Sequence, residues 1–256
     1  MPVFYNTGII CRIFYNKVIF MVDYNSYQVR VTPSMLGIGN IIRPDAILEV
    51  ITSAIDADMC ALGHGVSQML DNNLAWVITA VHAEILKPIN KCTPFTARTR
   101  PFCKRGPFIC REIILENDNI QYLRVLLTSA LFDTKNRVIL YDVPESLGVP
   151  ALDRNGFPAK RKIEEPLTFC CERKINNSEL DCIGHVNNSR YAAFVYDILS
   201  DEKLSRMNEL KGFYINFRHE LKKENTLLLE KGETCSQFFV RGSVDGEVSF
   251  DAILDF

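Results

Sequence analysis

The sequence lacks an excess of charge of either sign and lacks long apolar runs, and each absence excludes a class of protein. Lys and Arg together number 29 against 31 for Asp and Glu, so the formal net charge is −2 and no general affinity for nucleic acid is expected. No apolar run is long enough to cross a bilayer, so membrane insertion is not expected either.

Metal-binding patterns are also missing, although nine cysteines are present. No CxxC pair occurs, no cysteine has zinc-type spacing with histidine, and the adjacent Cys170 and Cys171 are poorly placed to form a disulfide with each other. We therefore predict small, buried, reduced thiols in a cytoplasmic protein, and no structural metal.

The first 24 residues do not fit the pattern of the rest. Ile, Phe and Val are frequent over residues 8–22, but Arg12 and Lys17 interrupt them, and no small-residue cleavage site of the A-x-A kind follows. A signal peptide is therefore not expected. Residues 1–24 are interpreted as an N-terminal extension, either an extra strand or arm or a segment that precedes a start at Met21.

The first half of the chain, residues 25–145, contains one long helical pattern followed by strands. Apolar residues spaced at i, i+3 and i+4 predict a helix from Pro44 to about Leu62, and Gly63 is a suitable stop. Strand-like runs lie at residues 27–32, 76–78, 80–86, 95–100, 108–115 and 122–132.

The second half, residues 163–256, repeats this order after a linker. Residues 146–162 are rich in Pro, Gly and basic residues without periodicity, which is typical of a linker. Asn187 and Asn188 are candidate helix caps, and an apolar face predicts a helix over residues 189–199. Strand-like runs lie at residues 166–176, 213–221, 226–229, 237–240 and 248–254.

The repeated order predicts the fold class. One long central helix wrapped by an antiparallel β-sheet is the α+β hotdog layout. Two copies in one chain would imitate the dimer that single hotdog domains form. The sequence therefore predicts a tandem (double) hotdog, with modules at residues 25–145 and 163–256.

The most informative segment lies just ahead of the second predicted helix, where Asp181, His185, Asn187 and Asn188 follow one another closely. Backbone N–H groups at a helix start are unpaired, and the helix dipole adds partial positive charge there. Such a place can polarise a thioester carbonyl and hold the oxyanion that forms on attack.

This segment resembles the acyl-acyl-carrier-protein (acyl-ACP) thioesterase family, whose second module carries Asp-x-Asn-x-His-Val-Asn-Asn ahead of an aromatic helix. The corresponding residues here are Asp181, Ile183, His185, Val186, Asn187 and Asn188, with Tyr191 in the helix. The family's later aromatic-Arg-x-Glu strand matches residues 217–220, its Trp-Val-Leu strand resembles residues 76–78, and Arg111 fits a further arginine. The likeness covers roughly residues 25–256.

The resemblance implies an acyl pocket in the N-terminal module and chemistry in the C-terminal module. It implies hydrolysis of fatty acyl-ACP thioesters to free fatty acid and holo-ACP in fatty acid biosynthesis, without a metal or organic cofactor. It carries Asp181, His185 and Glu220 over as catalytic residues. Glu220 would be general base or nucleophile, His185 would orient or polarise a reacting group, and Asp181 would support the network.

Substrate binding is assigned through the same resemblance to Val186, Asn187, Asn188 and Trp76, although Trp76 also suits a core position. The backbone amides near Val186 and Asn187 would serve the oxyanion. The partner would be acyl carrier protein, and a homodimer is left open. Four basic residues near the site could form a docking rim or an ordinary solvated surface, namely Arg173, Lys174, Lys222 and Lys223.

Ile183 departs from the family pattern, which has a catalytic asparagine there. Isoleucine neither donates nor accepts a hydrogen bond. Three alternatives therefore stay open beside the acyl-ACP thioesterase: a hotdog acyl-CoA thioesterase, a catalytically weakened hotdog protein that binds acyl chains, and, as the weakest, a hotdog dehydratase.

Overall fold

Antiparallel strands dominate the computed structural model, which describes residues 9–14, 17–144, 147, 149, 152 and 155–256. The strands are β1 Ile9–Phe14, β2 Lys17–Val22, β3 Asn25–Arg30, β4 Leu74–Ile85, β5 Pro94–Arg105, β6 Phe108–Asn117, β7 Ile120–Asp133, β8 Val138–Ile139, β9 Thr168–Lys174, β10 Gly212–Phe217, β11 Thr226–Glu233, β12 Gln237–Val244 and β13 Glu247–Asp255. The α-helices are α1 Pro44–Ala61, α2 Val66–Asp71, α3 Asn188–Asp197 and α4 Asp201–Ser205.

Both long predicted helices are confirmed, with ends that local chemistry explains. Helix α1 has Pro44 in its first turn, where a missing N–H costs nothing, and it ends just before Gly63, whose φ of 77° suits glycine. At the start of α3 the Asn187 side chain accepts a hydrogen bond from the Ser189 N–H at 2.9 Å. Asn187 is therefore the cap, and Asn188 is the first helical residue.

One sheet joins the two halves of the chain. Its strands follow the order β3-β5-β6-β7-β4-β10-β13-β12-β11-β9, with β8 paired to β7, and all pairs are antiparallel. The halves meet where β10 pairs with β4, in a register that runs from Gly212 opposite Glu84 to Asn216 opposite Ala80. Helices α1 and α3 contact each other, and their apolar faces share one core with the sheet.

The boundaries of several strands differ from the sequence prediction. The runs 76–78 and 80–86 are one strand, β4, with an irregularity between Ile78 and Ala80. The run 213–221 is wrong at its end, because β10 stops at Phe217 and the chain then turns toward Glu220. In the described part of the first 24 residues, β1 and β2 form a separate two-stranded sheet.

The end of the predicted linker lies against the sheet. Of residues 146–162, the structure describes 147, 149, 152 and 155–162. Arg161 forms an ion pair with Asp255 on β13, and just beyond the linker Ile163 packs against an apolar cluster that contains Tyr214. Among the described residues, no helix has both the length and the apolar character needed to cross a membrane.

A buried ion pair ties α1 to the sheet near the helix C-terminus. Asp58 accepts hydrogen bonds from Arg111 Nη1 at 2.5 Å, Asn25 Nδ2 at 2.7 Å and Tyr27 Oη at 3.0 Å. Only 1% of the Asp58 side chain and 11% of the Arg111 side chain are exposed. Arg111, which the sequence matched to a family arginine, therefore has a structural contact on β6.

Removing the Asp58 carboxylate should destabilise the fold. Asp58→Ala leaves the Arg111 charge buried without its partner, so the free energy of unfolding should fall by about 3–5 kcal/mol in urea titrations. Asp56→Ala is the matched control, because Asp56 is exposed on the same helix, and it should change stability by no more than about 0.5 kcal/mol. Equal losses in the two variants would contradict this account of the ion pair.

Candidate active site

A single backbone bridge brings the central side chains of the site together. His185, in the loop before α3, is the antiparallel bridge partner of Lys222, in the segment after β10. Directly opposite residues of an antiparallel pair project to the same side, and so do residues two apart in an extended segment. His185, Lys222 and Glu220 therefore project together, which agrees with their contacts.

Glu220 lies at the centre of three positively charged or chargeable groups. Its Oε2 is 3.4 Å from His185 Nε2, and its Oε1 is 2.8 Å from Lys222 Nζ. Arg137, from the turn before β8 in the first half of the chain, places Nη2 3.9 Å from Glu220 Oε1. The Glu220 side chain is 43% exposed and that of His185 33%, so water and substrate can reach both.

These neighbours keep Glu220 ionised. Partial burial by itself would raise the pKa of the Glu220 carboxyl group. The hydrogen bond from Lys222 and the charges of His185, Lys222 and Arg137 outweigh that effect, and the net pKa lies below the ordinary glutamate value of 4.5. At neutral pH the group is a carboxylate, which can accept a proton or attack an electrophile.

Asp181 shapes the loop through backbone contacts. Its Oδ1 accepts hydrogen bonds from the Ile183 and His185 N–H groups, both at 3.0 Å, and its own N–H donates to the His185 carbonyl at 2.7 Å. The carboxylate thus fixes the main chain of His185. The structure supports a positioning role for Asp181 and does not bring its carboxylate onto the imidazole.

The expected oxyanion donors are already occupied. The Val186 N–H donates to the Leu221 carbonyl at 2.8 Å, and the Asn187 N–H donates to the Glu179 carbonyl at 2.9 Å. The expectation that these two amides serve the oxyanion is therefore wrong in this structure, because the loop before α3 is itself bonded to neighbouring segments. Among the described residues no acceptor is found for the Asn188 N–H at the helix start, which makes it the remaining candidate donor.

Tyr191 anchors the other side of Glu220. Its buried hydroxyl accepts a hydrogen bond from the Leu221 N–H at 3.0 Å, while the Leu221 carbonyl accepts from Val186. Burial raises the pKa of Tyr191 well above its ordinary value, so the hydroxyl stays neutral. The residue next to Glu220 is held on both its backbone groups, which restrains the carboxylate.

Neither the Trp76 side chain nor the Ile183 side chain has a hydrogen-bond partner among the described residues. Trp76 is in β4, beyond the section paired with β10 and toward the end where β10 leads into Glu220. Its buried indole N–H finds no acceptor among the described residues, and substrate binding by Trp76 stays a prediction. Ile183 is 51% exposed in the turn after Asp181, so that position offers no polar side chain.

Two residues of the site were missed by the sequence analysis. Lys222 was assigned to a docking rim, although its spacing of two from Glu220 would have placed both side chains on one side. Arg137 follows β7 in the other half, and no local signal in the sequence could have indicated its approach. Of the other rim candidates, Arg173 is instead paired with Glu179 and lies over the Phe194 ring at 3.9 Å.

Comparisons with known proteins place part of the chain within the range of one family model. Residues 168–249 match the family model described as acyl-ACP thioesterase C-terminal domain, a range that includes Asp181, His185 and Glu220. The comparison with curated proteins found no match.

Solved structures of thioesterases share the fold. A putative oleoyl thioesterase from Lactobacillus plantarum is 18% identical with a TM-score of 0.76, covering 90% of this chain and 94% of that one. An acyl-ACP thioesterase from Bacteroides thetaiotaomicron is 16% identical with a TM-score of 0.78, covering 91% and 97%. A 12:0-ACP thioesterase from Umbellularia californica is 14% identical with a TM-score of 0.75, covering 91% and 96%. The chain therefore has the hotdog-type fold of these thioesterases over nearly its whole length, and the resemblance found in its motif is confirmed.

The Tyr191 anchor can be tested by removing one oxygen atom. Tyr191→Phe leaves the buried Leu221 N–H without its acceptor, so unfolding in urea should show a loss of about 1–3 kcal/mol. Tyr196→Phe is the matched control, because among the described residues the Tyr196 hydroxyl accepts one long hydrogen bond, at 3.3 Å, from the exposed Ile38 N–H. The loss of stability should stay within about 0.5 kcal/mol. If the Tyr191→Phe protein is as stable as the wild type, the hydrogen bond between Tyr191 and Leu221 does not anchor this segment.

Proposed function

We propose that this protein hydrolyses fatty acyl-ACP thioesters, releasing free fatty acid and holo-ACP in fatty acid biosynthesis. The observation that carries the proposal is the pairing of Glu220 with His185 at 3.4 Å, beside the start of α3 and inside the range that matches the acyl-ACP thioesterase family. An ionised carboxylate next to an imidazole, open to solvent, suits activation of water for attack on a thioester.

The proposed architecture is a tandem double hotdog. Residues 25–145 supply α1 with its surrounding strands, and residues 163–256 supply α3 with a second set of strands. Helix α1 contacts α3, and β4 pairs with β10. These contacts support the packing of two such modules against each other in one chain. In the proposal the first module shapes the acyl pocket and contributes Arg137, while the second carries the chemistry.

The proposed mechanism assigns one task to each group. The Glu220 carboxylate accepts a proton as a water oxygen attacks the thioester carbonyl carbon, and the neighbouring imidazole of His185 orients that water. The Asn188 N–H at the helix start would stabilise the oxyanion. Collapse of the tetrahedral intermediate breaks the C–S bond, and the departing thiolate takes the proton from Glu220. In the other route the ionised Glu220 carboxylate attacks the carbonyl carbon itself, the C–S bond breaks as the thiolate leaves, and water then hydrolyses the mixed anhydride to fatty acid and Glu220.

Acyl carrier protein in the cytoplasm is the proposed partner, with no nucleic acid, and a homodimer stays open. Carrier proteins of this kind are acidic, so the positive charges of Arg137 and Lys222 at the site suit the approach of such a partner. The exposed, apolar Ile183 favours one second candidate, a catalytically weakened protein that binds acyl chains without hydrolysing them.

The first experiment measures thiol release from a panel of acyl-ACP substrates. Glu220→Gln and His185→Ala should each lower kcat/KM tenfold or more, equivalent to about 1.4 kcal/mol or above. Glu224→Gln is the matched control, because Glu224 is exposed four residues away, and it should retain wild-type activity. Binding of acyl chains by an inactive wild type would favour the second candidate, and full activity of Glu220→Gln would exclude Glu220 as base or nucleophile.

The pH dependence follows from the ionisation of Glu220. Because the carboxylate is the active form and its pKa is lowered, the acidic decline of kcat/KM should have its midpoint below pH 4.5. The measurement is a pH profile of kcat/KM, with stability checked at each pH. A decline centred near pH 6 would mean that another group limits the reaction, or that the neighbouring charges do not lower the pKa of Glu220.

A further inference from the structure

Lys222 makes the shortest contact of the Glu220 carboxylate among the described residues, 2.8 Å from Nζ to Oε1. The backbone of Lys222 is itself fixed, because its N–H donates to Asn225 Oδ1 at 2.7 Å and its carbonyl accepts from the Asn225 N–H at 3.1 Å. The bridge to His185 fixes it from the other side. The backbone that carries the Lys222 side chain is therefore held in place by a closed turn.

The two oxygens of Glu220 have different neighbours. Oε1 faces the Lys222 ammonium group and the more distant Arg137 guanidinium group, while Oε2 faces the His185 imidazole. A charge-assisted hydrogen bond on one oxygen restricts rotation of the carboxylate and leaves the other oxygen toward His185. This division gives the carboxylate one anchored atom and one atom available for the reacting water.

The side chain of Ile183 offers no hydrogen bond to the site. The resemblance implies a catalytic amide at this position, and here an apolar side chain is half exposed to solvent. Lys222, in contrast, is a donor that the described structure places on the Glu220 carboxylate.

We propose that Lys222 is a positioning residue of this site, which anchors Glu220 Oε1 so that Oε2 faces His185. This inference rests on the proposed thioesterase function and deepens it. An ordinary surface ion pair of this exposure would contribute little to stability, so the signature of the role is the behaviour of Glu220 and not the stability of the fold.

The test compares two substitutions at Lys222 with one at Lys211. Lys222→Met keeps the unbranched apolar part of the side chain and removes the charge and the donor, whereas Lys222→Arg keeps the charge and a donor. Lys211→Met is the matched control, because Lys211 is exposed at the opposite end of β10 and the substitution changes the net charge equally. Urea unfolding checks that all three variants are folded.

Lys222→Met should lower kcat tenfold and move the acidic decline of kcat/KM upward by about half a pH unit or more, since an opposite charge at this range lowers a carboxyl pKa. Lys222→Arg should restore the wild-type profile in large part, and Lys211→Met should not alter it. A profile for Lys222→Met that coincides with the wild type would overturn the proposal.

A second readout does not depend on hydrolysis. The 13C carboxyl resonance of Glu220, assigned by its loss in Glu220→Gln, is titrated in the wild type and in Lys222→Met. Its midpoint should rise in Lys222→Met and stay unchanged in Lys211→Met. If the wild type releases no thiol, the proposed function fails, while this titration still decides whether Lys222 holds Glu220. An unchanged midpoint would overturn the inference whatever the activity.

Discussion

The pairing of β4 with β10 is the interaction on which the rest of the structure depends. It is the junction at which the strands of the first half and those of the second become one sheet. Because the two helices lie on that common sheet, the junction also brings α1 into contact with α3 and closes a shared core. Beyond the end of β10 at Phe217, the chain turns and places Glu220 near Arg137. The site therefore includes residues from both halves.

Within the second half, backbone hydrogen bonds determine the geometry of the site. Leu221 is held by Tyr191 and Val186, and the His185 main chain is held by Asp181. These bonds use the amides that would otherwise be available at the start of α3. The same contacts that hold His185 beside Glu220 thus limit the oxyanion donors, which leaves the Asn188 N–H for that role in the proposed mechanism.

Much of the fold could be predicted from the sequence, because its signals are local. The apolar spacing and terminal residues of α1, the Asn187 cap of α3 and the repeated order of strands are all properties of short segments. The association of His185 with Glu220 came from a family motif, and the distance between them agrees with it. The end of β10, the occupied amides of Val186 and Asn187 and the approach of Arg137 depend on long-range pairing, which no local pattern contains.

The positive charges beside Glu220 are the main difference between the site in the structure and the motif in the sequence. The motif indicated an acid, a histidine and asparagines, and the structure adds two cations that lower the pKa of the Glu220 carboxyl group. A carboxylate held in this way needs a substrate that brings its own electrophilic carbonyl and a partner that tolerates positive charge. The proposed substrate, a thioester carried by an acidic protein, meets both conditions.

The central claim is tested most directly by comparing kcat/KM for the same fatty acyl group carried by acyl carrier protein and by coenzyme A, with free fatty acid quantified as product. The account predicts stoichiometric release of fatty acid and thiol, with the carrier-protein thioester preferred tenfold or more. Release of neither product from either thioester would contradict it, and a preference for the coenzyme A thioester would contradict the assignment of the partner.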